Sequence, residues 1–340
     1  MKVLVLEREG VLAMKDAPKP APRPGEALVK VRAVSVCGSD VHAFKGENPL
    51  LTYPRIMGHE VCGVIEEINS PDAKGLAAGD QVILIPYLAC GSCIACRRGK
   101  PNCCRSLSVY GVHHDGAMAE YFTAPLAYLL KVDPEMDPVR AAVIEPFAIS
   151  THAVRRSGVE LGETLLVLGA GPIGLGAAAI ARTLGAHLIL ADTDEKRRAF
   201  AGERFAFPHI LDPLAPGYRD RIMEMTGGWG PTRIIDSTGN GASMTGAIGL
   251  LANGGRLVYV GIYKGDLSFK HTVFHMPETE LLGSRGAVRE DFQYVIDCVE
   301  SGAIDPKQFI THSAPFEKGA ESLQEWVGLG GAVFKSVLTM

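Results

Sequence analysis

"TLLVLGAGPIGLGAAAIARTLGAHLILAD", residues 164–192, is the stretch whose reading decides the fold. It opens as a short apolar strand, turns through Gly169-x-Gly171-x-x-Gly174, continues as a helix through "PIGLGAAAIARTLGA" and ends on a second strand, "HLILAD". Strand, glycine turn, helix, strand is the repeating unit of a doubly wound parallel sheet. Gly169 permits the tight turn, Gly171 lets the backbone approach a pyrophosphate, and Gly174 lets the helix pack closely on the strand. Pro172 and Ile173 open the helix, whose free N–H groups and positive dipole end suit phosphates. Asp192 follows 18 residues after Gly174. A carboxylate there accepts hydrogen bonds from an adenosine ribose and repels a 2′-phosphate, so the expected cofactor is NAD rather than NADP. Arg197, one helical turn on, either lines that ribose or is a solvated helix charge. Residues 164–181 carry no charge and just reach membrane-span length, but four glycines and Pro172 favour the strand–turn–helix reading.

Outward from this unit the texture divides the chain. After about Leu161, strands and helices alternate: "DEKRRAFAGERF", "RIIDSTG", "MTGAIGLL", "GRLVYVG". Before it lie short strands and turns, "MKVLVLE", "EALVKVRAVSV", "VCGVIEEI", "DQVILIP", broken by the Pro-rich "APKPAPRPGE"; they suggest an antiparallel, barrel-like domain. The 340 residues suit two domains. With 47% apolar and 21% charged residues the composition is that of an ordinary globular protein. A formal charge of −4 and the lack of any basic block argue against nucleic acid and anionic membranes as partners. The first residues, "MKVLVLEREGVLAMKDAP", have no signal-peptide core, so a cytoplasmic protein is expected.

Five of the eight cysteines fall within "CGSCIACRRGKPNCC", residues 90–104. Cys90, Cys93, Cys96 and Cys104 follow C-x2-C-x2-C-x7-C, which suits four thiolates around one structural zinc. An iron–sulfur cluster and a set of free thiols are the rival readings. Cys103 adjoins Cys104, and Cys104 is the expected fourth ligand. Four thiolates leave no open position, so this metal would be a staple and not the reacting centre. A second set is scattered: "VCGSDVH" (36–42), "GHE" (58–60) and "IEPF" (144–147). Cys37, His59 and either Glu60 or Glu145 would give a thiolate, an imidazole and a carboxylate, three protein ligands with a fourth position open for chemistry.

These pieces, in this order along the whole chain, resemble the zinc-containing medium-chain dehydrogenases, the superfamily of alcohol, sorbitol and threonine dehydrogenases. Glu145 stands where alcohol dehydrogenases carry a second cysteine, which resembles the polyol and threonine branch. "GENPLLTYPRIMGHE", "YGVHHDG" and "IEPFAIS" are similar to the starvation-sensing subgroup that includes L-gulonate and L-galactonate 5-dehydrogenases. The resemblance implies a GroES-like catalytic domain, residues 1–147 with the zinc lobe at 86–105 and a return at 286–340. A Rossmann NAD-binding domain, 148–285, would be inserted between, with the active site in the cleft. It implies two zinc ions per subunit and a homotetramer or homodimer.

The implied reaction is oxidation of a secondary hydroxyl of a sugar acid or polyol by NAD. Zinc at Cys37, His59 and Glu145, with Glu60 close by as an alternating ligand, would acidify the hydroxyl. Ser39 and His42 would carry its proton away, and Asp40 would orient the His59 ring. Arg285, in "ELLGSRGAVRED", would clamp the carboxylate of a sugar acid or bind hydroxyls of a neutral polyol, or else form an interface ion pair; His113 would line the substrate pocket or be a surface-loop histidine. Alternatives are an L-threonine or sorbitol dehydrogenase, and, in a different class, a non-catalytic NAD-binding sensor on the same scaffold.

Overall fold

The computed structural model describes residues 1–340, which divide into two units: Met1–Glu145 with Val288–Met340, and Pro146–Ala287. No helix is long and apolar enough to cross a membrane.

The first unit is built on a seven-stranded sheet whose central strand is Glu26–Val36. β-branched Val29, Val31, Val34 and Val36 suit a pleated surface, and all four join Met57, Phe122 and Phe316 in the core. On one flank the strand pairs antiparallel with Glu60–Asn69, and on the other with the C-terminal strand Lys335–Thr339. Register places Ser35 opposite Glu60 on the first flank and opposite Val337 on the second. Cys37 follows directly after the central strand, His59 precedes Glu60, and Lys335 begins the last strand. Three chain-distant segments therefore meet at the same end of one sheet. The sheet is not purely antiparallel, as the short strands suggested. Lys335–Thr339 runs parallel to Ile310–Pro315, because helix Gly319–Leu329 carries the chain back between them. Gly58, at φ +93°, makes the turn into His59; a Cβ there would stand 3.0 Å from the Met118 backbone nitrogen.

The second unit is a six-stranded parallel sheet in the order Ile210–Leu211, His187–Ala191, Thr164–Leu168, Arg233–Asp236, Arg256–Tyr259, Glu280–Gly283. Thr164–Leu168 comes first in the chain yet lies inside the sheet, so the strand order reverses beside it. The crevice at the carboxyl ends there is where such sheets take ligands. Leu166, Leu168, Ile189, Ile234 and Leu257 fill the core beneath. Gly169 turns the chain at φ +95°, and helix Pro172–Thr183 starts at once behind Gly171. A Cβ on Gly174 would fall 1.8 Å from the Gly169 carbonyl oxygen, closer than any packing tolerates. Gly174→Ala is therefore expected to destabilise this unit by roughly 3 kcal/mol through overpacking against backbone. Urea unfolding checks it, and an unchanged midpoint contradicts the close-packing role.

Candidate active site, metal centres and cofactor loop

This end of the sheet gathers a high density of buried charge. Asp40, His59, Glu60, Glu145 and Lys335 are each 5% exposed or less. One ligand atom each from Cys37, His59 and Glu60 lie within 4.8 Å of one another. Lys335, which the sequence reading missed, reaches Glu60 with its ammonium, 2.5 Å from Oε2 and in contact with Oε1 as well. Burial opposes a charged Glu60, but Lys335 and His59 outweigh it and hold the carboxyl below its usual range. Burial likewise opposes the imidazolium of His59. Cys37, Asp40 and Glu145 overcome that opposition and lift its pKa well above the ordinary value.

Glu145 sits in the first turn of helix Ile144–Ser157. Burial, relieved in part by His59, pushes its carboxyl up to about 7. The Tyr87 hydroxyl donates to its Oε1, while Oε2 is buried with no protein partner. Nδ1 of His59 is orphaned in the same way. An orphaned carboxylate oxygen and an orphaned imidazole nitrogen beside a thiol fit a divalent cation, since such groups are costly to bury alone. Asp40 departs from expectation. Its Oδ2 accepts the Cys37 N–H at 2.9 Å, so it fixes the thiol's backbone and acts on His59 only through charge.

Ser39 and His42 lie three residues apart on helix Gly38–Phe44, and so on one face. The Ser39 hydroxyl is buried without a partner. His42 is exposed, and its Nδ1 pairs with Glu47 Oε2 at 2.7 Å. One end of the pair is enclosed and the other meets solvent.

The four sulfurs of Cys90, Cys93, Cys96 and Cys104 also fall within 4.8 Å of one another, and Cys103 stays outside the set, exposed. The Sγ separations of 3.5 Å for Cys93–Cys96 and 4.0 Å for Cys90–Cys96 rule out disulfide bonds. Backbone N–H groups of Ser92 and Cys93 draw the Cys90 thiol down to about 6, whereas burial and its neighbouring thiols push Cys96 up to about 12. Four thiols in this state cannot all ionise together without a cation among them, which fits a closed metal shell.

In the second unit Asp192 follows strand His187–Ala191 and is buried. Its carboxylate accepts N–H bonds from Ala170 at 2.6 Å and Asp194 at 2.8 Å. Arg197 stands 3.8 Å from it. Ser237 donates to the carbonyls of Leu168 and Gly169, pinning the glycine turn from the neighbouring strand end. Gly169, Gly171, Pro172, Ile173 and Gly174 thus form a close-packed loop feeding a helix N-terminus, which fits a pyrophosphate. Arg285 is exposed in the loop after strand Glu280–Gly283. His113 is exposed too, its Nδ1 accepting the Val109 N–H at 3.2 Å.

Comparison with known proteins matches residues 23–134 to the alcohol dehydrogenase GroES-like domain and residues 172–301 to the zinc-binding dehydrogenases. An L-galactonate-5-dehydrogenase of Escherichia coli K12 is 43% identical over 100% of this chain and 99% of its own. The chain belongs to the zinc-type alcohol dehydrogenase family. Two solved relatives share its architecture. RspB from E. coli CFT073, solved with NADH, superposes with a TM-score of 0.91 at 30% identity, covering 100% of this chain and 99% of its own. A zinc-binding dehydrogenase from Sinorhizobium meliloti 1021 bound to NADP gives 0.91 at 29% identity with the same coverage. This zinc-type dehydrogenase is therefore an oxidoreductase acting on CH–OH groups with a nicotinamide dinucleotide, a GroES-like unit joined to a Rossmann unit. Within the dehydrogenase, Lys335 is a buried ammonium facing Glu60 and Glu145. Removing one partner of a buried pair leaves the other uncompensated, so Lys335→Met is expected to cost roughly 3–5 kcal/mol. Chemical denaturation of variant and wild type checks this; a loss below about 1 kcal/mol, the scale of an exposed pair, contradicts it.

Proposed function

We propose that this enzyme oxidises a secondary hydroxyl of a sugar acid with NAD, as an L-gulonate or L-galactonate 5-dehydrogenase does. The observation that carries the substrate class is the full-length similarity to the E. coli L-galactonate-5-dehydrogenase. Zinc held by Cys37, His59 and a carboxylate of Glu60 or Glu145 supplies Lewis acidity that makes the substrate hydroxyl easier to deprotonate. NAD supplies the hydride acceptor.

The chain's own groups do the rest. Ser39, with its buried and partnerless hydroxyl, relays the hydroxyl proton, accepting it as it gives up its own. His42, one turn on and paired with Glu47 at the surface, hands it to solvent. Asp40 keeps Cys37 in place through its backbone N–H. Cys90, Cys93, Cys96 and Cys104 hold a second zinc that braces their loop. The buried carboxylate of Asp192 supports NAD over NADP, since a 2′-phosphate beside it would meet like charge. Arg285 is the group suited to the carboxylate of a hexonate, through a bidentate pair. His113 is the weaker substrate contact, its Nδ1 already engaged by Val109. The enzyme is read as a cytoplasmic homodimer or homotetramer, the assembly its family resemblance implies.

Three outcomes test this reading. With L-gulonate, L-galactonate, sorbitol and L-threonine offered side by side, kcat/KM is expected to be highest for a hexonate; a preference for sorbitol or threonine contradicts the substrate class. NAD is expected to exceed NADP in kcat/KM by at least about tenfold, equal to about 1.4 kcal/mol, with Asp192→Ala narrowing the gap. Equal use of NADP by the wild type contradicts the role of Asp192. Arg285→Lys keeps the charge and loses the fork, so KM for the best hexonate is expected to rise about tenfold while that for a neutral polyol stays put. An unchanged hexonate KM removes Arg285 from substrate binding.

A further inference from the structure

One side chain joins the four-cysteine lobe to the Cys37–His59 site. The lobe is a loop closed at its neck by two short strands, Tyr87–Leu88 and Ser108–Val109, paired antiparallel with Tyr87 opposite Val109. Cys90 follows Tyr87 by three residues and Cys104 precedes Ser108 by four. The Cys90 N–H donates to Cys104 Sγ at 3.2 Å, and the Ala89 N–H donates to the Tyr128 hydroxyl at 3.1 Å. Closing the cysteine loop therefore fixes the neck, and the neck carries Tyr87.

From there Tyr87 points away from the lobe. Its ring makes an edge contact with Phe292, centroids 6.4 Å apart at 62°, and Phe292 is fully buried. Its hydroxyl donates to Glu145 Oε1. One carboxylate oxygen is thereby occupied, and Oε2 is left buried and partnerless. Without this bond Glu145 would have two buried oxygens to satisfy and freedom to turn either way. We propose that Tyr87 is a positioning residue through which the cysteine lobe sets the orientation of Glu145 at the Cys37–His59 metal site. The lobe metal then supports the reacting site across the fold, by holding the strand from which Tyr87 projects. This rests on the metal reading of both sites and not on the choice of substrate.

The test needs only metal. In Tyr87→Phe, chelator competition is expected to show one of two zinc ions bound about 10–100-fold more weakly, the usual effect of losing a partner that orients a metal site's ligand, with the other unchanged. Cobalt substituted at the weakened site should give a visible spectrum shifted from wild type, which loss of a merely structural hydroxyl would not produce. Unchanged affinity and spectrum overturn the positioning role. Cys93→Ser, which opens the lobe, should weaken the remaining site in the same direction. Should it fail to fold, Tyr128→Phe removes the acceptor of the Ala89 N–H and is the milder test of the same link. A Tyr87→Phe effect with no effect from the lobe variant overturns the coupling. A wild type holding a single zinc would instead point to failure of the metal reading, and is recognised by stoichiometry before any variant is made.

Discussion

Three buried carboxylates and a half-buried thiol gather around one site, and a buried lysine faces them. Asp40, Glu60 and Glu145 are almost wholly withdrawn from water, beside Cys37 and opposite Lys335. Burial alone would drive each carboxyl towards its neutral form, and for Asp40 and Glu145 it prevails, whereas Lys335 and His59 outweigh it for Glu60. Lys335 serves Glu60 through both oxygens, Tyr87 serves one oxygen of Glu145, and the Cys37 N–H serves Asp40. Glu145 Oε2 and His59 Nδ1 stay unserved beside a thiol. That remainder is what a divalent cation satisfies.

The fold produces this concentration by register. Strand Glu26–Val36 has Glu60 beside its end on one flank and the beginning of Lys335–Thr339 on the other, so Cys37, Glu60 and Lys335 meet without any of them being near in sequence. A shift of one residue in either pairing would send Lys335 or Glu60 to the opposite face of the sheet. The second unit uses a different device for a similar end. Strand reversal beside Thr164–Leu168 opens a crevice, and Gly169 and Gly174 let the chain turn and pack there closely enough to present a helix start.

Much of this was legible in the chain, where the signal was local. The stretch from Thr164 to Asp192 carries its own periodicity, its own glycines and its own closing carboxylate, so the parallel unit follows from a single window. The spacing of Cys90, Cys93 and Cys96 is equally local, and the four sulfurs do converge. The partners of the buried acids were not legible. Lys335 lies 275 residues from Glu60, and Tyr87 lies 58 from Glu145, distances across which no periodicity speaks. A lysine inside the apolar "FKSVLTM" was the one hint of an inward charge. Asp40 shows the other limit. Its nearness to the ligand set was clear, but whether it bonds the imidazole or the Cys37 backbone depends on the geometry of the helix start at Cys37.

The claim that the buried charge is a metal site, distinct from the cysteine staple, is tested most directly by metal content. Zinc measured by inductively coupled plasma mass spectrometry on the purified, folded protein is expected at two equivalents per chain, falling to one in Cys37→Ser with the fold retained. A folded wild type without zinc, or a Cys37→Ser variant that keeps both equivalents, would contradict the account.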